Sequence, residues 1–468
     1  MRKISIIAGL LVLFCLSYFG TVLAEESPSD VYSDIDGFLI ESVKNLHIPG
    51  MTVVIVNSED ILFSNSYGIC ENEDVPYIIG SLSKSVTAVG IMQLVEEGKV
   101  SLDDAVSTYL PNVNRGDDIT IQHLLNHTSG FDTYQKPHSA TITNPIGIYQ
   151  YANVNYCLLG DIIEVVSGMN YEQYVEDNVF APLSMIRSNA NLEKAEVSGL
   201  ITGFRNYFGI PIPGAINHPN EHSWSRMPAG YISSSGTDMA RYLQMYLKDG
   251  EGVLSKESID AIFHESAIIA QTTNRYGFGW KIETNGDDLI YSHDGLVENY
   301  LSDMMLLPAK DLGIIMLVNT NDYLVANNAM GQVTDGILRL LVGEEAEIPS
   351  ESQYVICHSI IDGGYLLLFT LAIWILIRFI RQSRHPVEFN TNRRQILFLV
   401  IIHLCLPVLL LCSTRLFAGT PLWVVRDYVP DLYLVVMVVS GLLMATGIAK
   451  GIRLICQTNR GPEGENPK

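Results

Sequence analysis

The stretch Ser81-Leu82-Ser83-Lys84 places a hydroxyl and an amine three residues apart at the opening of a mostly apolar run that ends at Gly98. The spacing predicts a helix from about Ser81 to Glu97, with Gly98 as the residue that stops it. Residues i and i+3 share one helical face, so the Lys84 ammonium reaches the Ser81 oxygen. The helix N-terminus adds unpaired N–H groups where an attacked carbonyl would develop negative charge. Together these are a compact recipe for acyl transfer. Alone the tetrapeptide has little weight, because a chain this long shows on the order of two such matches by chance. Two further motifs follow it in the chain: Tyr151-Ala152-Asn153, then Ser292-His293-Asp294-Gly295 entering a β-rich run. The ordered set is far more specific than any member.

Outward from Ser81, the chain alternates between two kinds of pattern. Ser29 to His47 reads as a helix, and Met51 to Val56 with Ile61 to Tyr67 reads as a hairpin. The middle, about Arg115 to Leu247, is helix and loop, with a Pro/Gly-rich section from Gly209 to Gly214 expected to be an irregular excursion near a cleft. Strand patterns return at Gly277 to Glu283, Leu289 to His293, Tyr300 to Leu307 and Gly313 to Asn319. A helix from Val325 to Val342 then closes the unit. Strands at both ends of a helical insert imply an α/β (α+β) domain with an antiparallel sheet whose first and last strands meet.

The ends of the chain are apolar. Arg2 and Lys3 precede a hydrophobic run, and Val22-Leu23-Ala24 has the small-residue character of a cleavage site, so residues 1–24 read as a secretory signal or an uncleaved anchor. Residues 25–342 are the exported domain and 343–359 an acidic, polar linker. Residues 360–456 hold three apolar stretches, Ile360 to Ile380, Ile396 to Cys412 and Leu432 to Ile448, each about long enough to span a bilayer. Residues 457–468 form a tail. Arg378, Arg381, Arg384, Arg393 and Arg394 flank the first loop, and Lys450, Arg453 and Arg460 follow the third stretch. The positive-inside tendency puts that loop and the tail in the cytoplasm and the domain outside.

The 468-residue chain has a formal net charge of −22, but between Glu25 and Ile360 it carries 45 acidic against 16 basic residues. Such a surface repels nucleic acid. Of seven cysteines, Cys15, Cys405, Cys412 and Cys456 fall in or near apolar stretches. No Cys/His spacing suggests a metal. A Cys70–Cys157 disulfide is open, with Cys157 as a core residue the alternative.

With these residues in hand, the chain resembles the serine β-lactamase and penicillin-binding-protein superfamily, in the branch of class C β-lactamases, D,D-peptidases and related esterases. The similarity runs from about Ile48 to Val342. Beside the three motifs it rests on Leu94 to Asp104, Tyr109-Leu110-Pro111, His123 to Phe131 and Tyr276 to Trp280.

The resemblance implies a transpeptidase-like fold in which Ser81 is the acylated nucleophile and Lys84 helps remove its proton. It implies that Tyr151 relays protons, that Asn153 holds the substrate's acyl-side amide, and that the backbone N–H groups of Ser81 and Leu296, just after Gly295, form an oxyanion hole. Burial and mutual proximity are expected to lower Lys84, and a nearby cation to lower the Tyr151 phenol. His293 stands where penicillin-interactive members carry lysine. It is charged only below about pH 6.5 unless perturbed, so efficient β-lactam hydrolysis is not expected. His123 and His127 read as cap and turn residues. Asn299 replaces a glycine and is expected to take left-handed backbone, and Tyr231 after Gly230 is expected to narrow the cleft.

The function so implied is a membrane-anchored extracytoplasmic serine hydrolase acting on an amide or ester, such as a D-amino-acid-containing peptide. Its rivals are an esterase and a receptor that is acylated without turnover. No cofactor or metal is implied, and the expected partners are a small peptide or ester substrate and membrane lipid, without nucleic acid.

Overall fold

The computed structural model describes residues 28–285, 288–384 and 393–458. The expected signal, residues 1–24, and most of the expected tail lie outside them.

Strand β1 (Gly50–Val56) is buried along its whole length, as the unbroken apolar run Met51 to Val56 requires for a strand covered on both faces. It pairs antiparallel with β2 (Ile61–Gly68). Toward the C-terminal end of the domain come β3 (Ala267–Ile268), β4 (Arg275–Gly277), β5 (Trp280–Asn285), β6 (Asp288–Val297), β7 (Tyr300–Leu307) and β8 (Leu312–Val318). One eight-stranded sheet results, in the order β2-β1-β8-β7-β6-β5-β4-β3. β1 and β8 pair antiparallel from Met51 opposite Val318 to Val56 opposite Gly313, so the first and last segments of the domain do meet.

Alternation along β1 sorts two cores. Met51, Val53 and Ile55 pack with α1 (Pro28–Asn45) and a C-terminal helix (Ala326–Leu341), whereas Val54 and Val56 face a larger core. That second core is built around α2 (Ser83–Glu96) and α3 (Asn153–Ser167). Cys70 and Cys157 are both buried free thiols, so the disulfide left open by the sequence does not form.

The Gly209 to Gly214 section is ordered differently from expectation. Phe204–Tyr207 and Ile210–Pro213 form a hairpin, joined by Phe208 and Gly209 with φ of 54° and 75°. Two successive left-handed residues are the geometry of a tight type I′ turn. Asn299 is not left-handed. Its amide donates to the Gly214 and Ala215 carbonyls (2.7 and 3.1 Å) and accepts from Arg205 (2.6 Å), so it fastens this hairpin to the β6–β7 turn.

Three helices among the described residues are long and apolar enough to cross a membrane: α4 (Glu351–Ser383), α5 (Arg393–Ala418) and, after the short α6 (Leu422–Tyr428), α7 (Pro430–Thr458). The helix expected at Ile360 begins at Glu351, capped by Ser350. Residues 351–359, expected as linker, are therefore helical. They are held against the domain: Tyr354 accepts from the Asn206 amide (3.2 Å), and His358 pairs with Asp322 (2.9 Å).

Candidate active site

Ser81 lies in a single 3₁₀ turn, Gly80–Leu82, that leads into α2. Gly80 has φ +53°, and a Cβ there would stand 2.4 Å from the Leu296 nitrogen. Gly295 is its counterpart on β6, where a Cβ would meet the Ile79 carbonyl at 2.3 Å. Two glycines thus let the Ser81 turn lie directly against the strand, bringing the Leu296 backbone to Ser81. The Ser302 hydroxyl, opposite Gly295 on β7, donates to the Ile79 carbonyl (2.8 Å) and fastens the contact.

The three motifs converge here. Lys84 Nζ donates to Ser81 Oγ (2.9 Å) and to the Ala229 carbonyl (2.5 Å), and Tyr151 Oη donates to Ser81 Oγ (2.8 Å). Lys84 is fully buried, with its nitrogen 4.9 Å from the centre of the Tyr151 ring. Burial drives its pKa down to about 7, against opposing pulls from Cys157 and Asp294. The phenol behaves otherwise than expected. Burial pushes Tyr151 well above its ordinary value, and the Ser81 hydrogen bond only partly offsets this. Near neutral pH the amine, not the phenolate, is the available base.

Asn153 opens α3 with its Oδ1 buried and unpartnered, aimed into the same cavity that Ser81 lines. A buried acceptor left unpaired by the protein itself is suited to receive a donor from a bound molecule. His127 is also buried. Its Nδ1 accepts from the Ala152 backbone N–H (3.3 Å) and the Asn155 amide (2.9 Å), and its ring lies 4.4 Å from that of Tyr151. Burial holds it well below its ordinary pKa, neutral, as a strut under the Tyr151 segment. His123 completes a capping box with Thr120.

His293 does not serve as a cation. Its Nδ1 donates to the Asp294 carbonyl (2.7 Å), and its Nε2 accepts from the Tyr276 hydroxyl (3.0 Å). Burial carries its pKa down to about 3, so both ring nitrogens are committed and the ring is neutral. The positive charge comes instead from Lys281, opposite Ser292 on the neighbouring strand β5. Lys281 forms an ion pair with Asp294, whose pKa is held near 2, burial notwithstanding, by Lys281 and His293. Sequence reasoning missed this pair, because only the β5–β6 register reveals it. Gly230 lines the cavity but Tyr231 does not: its hydroxyl donates to Glu298 (2.9 Å), away from the cleft, and narrows nothing.

The cavity measures about 520 Å³, within the range of small-molecule sites. One wall comes from the domain. The other comes from the connection between the second and third apolar helices, including Val424, Val425, Val429 and Leu432. No cluster of residues suited to a metal ion occurs among the described residues.

A family model described as Beta-lactamase matches residues 35–334. The chain belongs to the Beta-lactamase family. Among curated relatives, Protein flp of Staphylococcus aureus (strain MW2) is 25% identical over 422 residues, covering 81% of each chain. The Putative penicillin-binding protein PbpX of Bacillus subtilis (strain 168) is 27% identical over 321 residues, covering 62% of this chain and 74% of the relative. Among solved structures, the octameric penicillin-binding protein homologue from Pyrococcus abyssi superposes with a TM-score of 0.58 at 27% identity, covering 67% of this chain and 78% of that one. The expected superfamily and its antiparallel-sheet fold are therefore borne out, and family members of this fold are serine hydrolases.

Proposed function

We propose that the chain is a membrane-tethered serine hydrolase that cleaves an ester or amide through an acyl-enzyme on Ser81, with its domain on the outer side of the membrane. The observation that carries this reading is the convergence on one hydroxyl of a buried amine with a pKa of about 7 and a protonated phenol.

Neutral Lys84 takes the Ser81 proton as the oxygen attacks the substrate carbonyl. The developing oxyanion is met by the N–H groups of Ser81 and Leu296. The Tyr151 hydroxyl passes a proton to the departing nitrogen or oxygen and is replenished from Lys84. Asn153 accepts from the substrate with its orphaned Oδ1. Water then enters where the leaving group stood and gives its proton to Lys84, which returns it to Ser81 Oγ as the acyl bond breaks and the acid departs.

The charge of the site favours substrates without a free carboxylate. Among the described residues, Lys281 is the only cationic side chain lining the cavity besides the buried Lys84 beneath it, and it is paired with Asp294. A β-lactam or a peptide with a free C-terminus would have to displace that aspartate. Esters, amides and D-amino acid amides would not.

A fluorophosphonate probe with mass spectrometry of the labelled peptide tests the nucleophile. Ser81 carries the label, and Ser81→Ala loses both label and turnover; undiminished labelling of that variant removes Ser81 from the role. In a panel, short acyl esters and D-alanine amide turn over ahead of D-Ala-D-Ala peptides and nitrocefin.

A further inference from the structure

The second wall of the cavity belongs to a segment that begins and ends in the apolar helices. Thr414, Ala418 and Thr420 come from the end of α5 and the turn after it; Val424, Val425 and Tyr428 come from α6, Val429 from the junction that follows, and Leu432 from the start of α7. The segment is docked rather than loosely adjacent. Trp423 packs edge-on against Trp224 (5.5 Å) and Tyr134 (6.4 Å), and Val424, Val425 and Val429 are buried.

The polarity of the two walls differs. The domain side carries Ser81, Tyr151, Asn153 and the Lys281–Asp294 pair. The opposite side is hydrocarbon apart from three hydroxyls. The charged residues of α6 do not enter the cavity, because Arg426 and Asp427 pair with each other (2.8 Å) and line a separate depression beside Glu298. Apolar side chains also stand exposed around this end of the helices. Tyr323 and Leu324 lie on the cavity rim, Leu416 and Phe417 at the end of α5, and Phe208 packs on Tyr365 of α4. The cleft is thus reactive on one side, oily on the other and continuous with surface suited to lipid.

We propose that this cleft takes an amphiphilic substrate: an ester or amide whose reacting carbonyl sits at Ser81 while a hydrocarbon chain lies along Val424, Val425, Val429 and Leu432 toward the bilayer. This rests on the hydrolase reading above and specifies its substrate class. A small soluble substrate needs no wall from a membrane segment. A substrate with one end in lipid needs a passage that keeps its chain out of water.

The test uses the full chain in nanodiscs and two matched pairs of soluble esters below their critical micelle concentrations. p-Nitrophenyl octanoate against acetate places the chain on the acyl side, and octyl against methyl D-alaninate places it on the leaving group. Removing a methylene from water is worth about fourfold in affinity. Burial of only part of the chain therefore raises kcat/KM, referred to free aqueous ester, at least tenfold in one pair. Val425→Asp lowers that long-to-short ratio at least fivefold. Val425→Thr, nearly isosteric and gentler on folding, lowers it in the same direction, and fluorophosphonate labelling of Ser81 reports that each variant is folded. Ratios near one in both pairs, or a ratio indifferent to both Val425 variants, overturn the proposal while labelling of Ser81 and turnover of short esters leave the hydrolase reading standing. Absence of label and of all turnover overturns both.

Discussion

The sharpest consequence of the buried amine is the pH dependence of acylation. Lys84 works as a base only when neutral, and its pKa of about 7 sets the point at which half the molecules are competent. At pH 6 about one molecule in eleven has the free amine and at pH 8 about ten in eleven, so kcat/KM rises roughly tenfold between them and levels above pH 8. The source of the shift can be separated from its effect. Asp294 pulls the Lys84 pKa upward, opposing burial. Asp294→Asn removes that pull and leaves the Lys281 cation uncompensated, and both changes disfavour protonated Lys84. The acid limb must therefore move to lower pH. Initial rates of a neutral short ester from pH 5 to 9, whose own charge does not change in that range, measure this directly. An acid limb near pH 4 to 5 in the parent, or one that moves upward in Asp294→Asn, would refute the assignment of Lys84 as base.

Three further outcomes follow from the same geometry. The folded Lys84 binds protons less tightly than the unfolded chain, so its burial weakens the fold below pH 10.5 and costs about 4 kcal/mol at pH 7; Lys84→Met loses activity yet melts at higher temperature, a gain that shrinks as pH rises toward 10 in thermal scans. Tyr151→Phe removes the hydroxyl 2.8 Å from Ser81 without opening a cavity, so kcat falls about 10²- to 10⁴-fold while the melting temperature is almost unchanged; an equal loss of both would make Tyr151 merely structural. Gly80→Ala adds a Cβ 2.4 Å from the Leu296 nitrogen at a φ of +53°, which forces the nucleophile turn off the strand; labelling of Ser81 and unfolding in urea should both show damage, with a stability loss of about 2 kcal/mol or more.

How much could be read from the chain depended on the range of the interaction. The Ser81–Lys84 contact is local, three residues along one helical face, and it appeared as expected at 2.9 Å. The hairpin, the pairing of β1 with β8 and the three apolar helices were legible because burial on one or both faces imposes a period or an unbroken apolar run. His293 was placed correctly on its strand, but its permanently neutral state was not legible, since the Tyr276 hydroxyl and complete burial both come from outside its own segment. Lys281 was passed over because nothing near it in the chain marks it; its neighbour Asp294 lies across a strand pair. The phenol was expected to be lowered by a cation, but burial raises it, offset only in part by the Ser81 hydrogen bond.

From its residues alone the chain declared its superfamily, its candidate nucleophile, the amine three positions on and the segments that suit a membrane, because those properties reside in short-range spacing and composition. Only the tertiary structure decided which group is free to accept a proton near neutral pH, where the site's partly exposed cation stands and what closes the cleft. Those outcomes depend on desolvation and on contacts between segments as distant as Ser81 and Val425, and both exist only once the chain is packed.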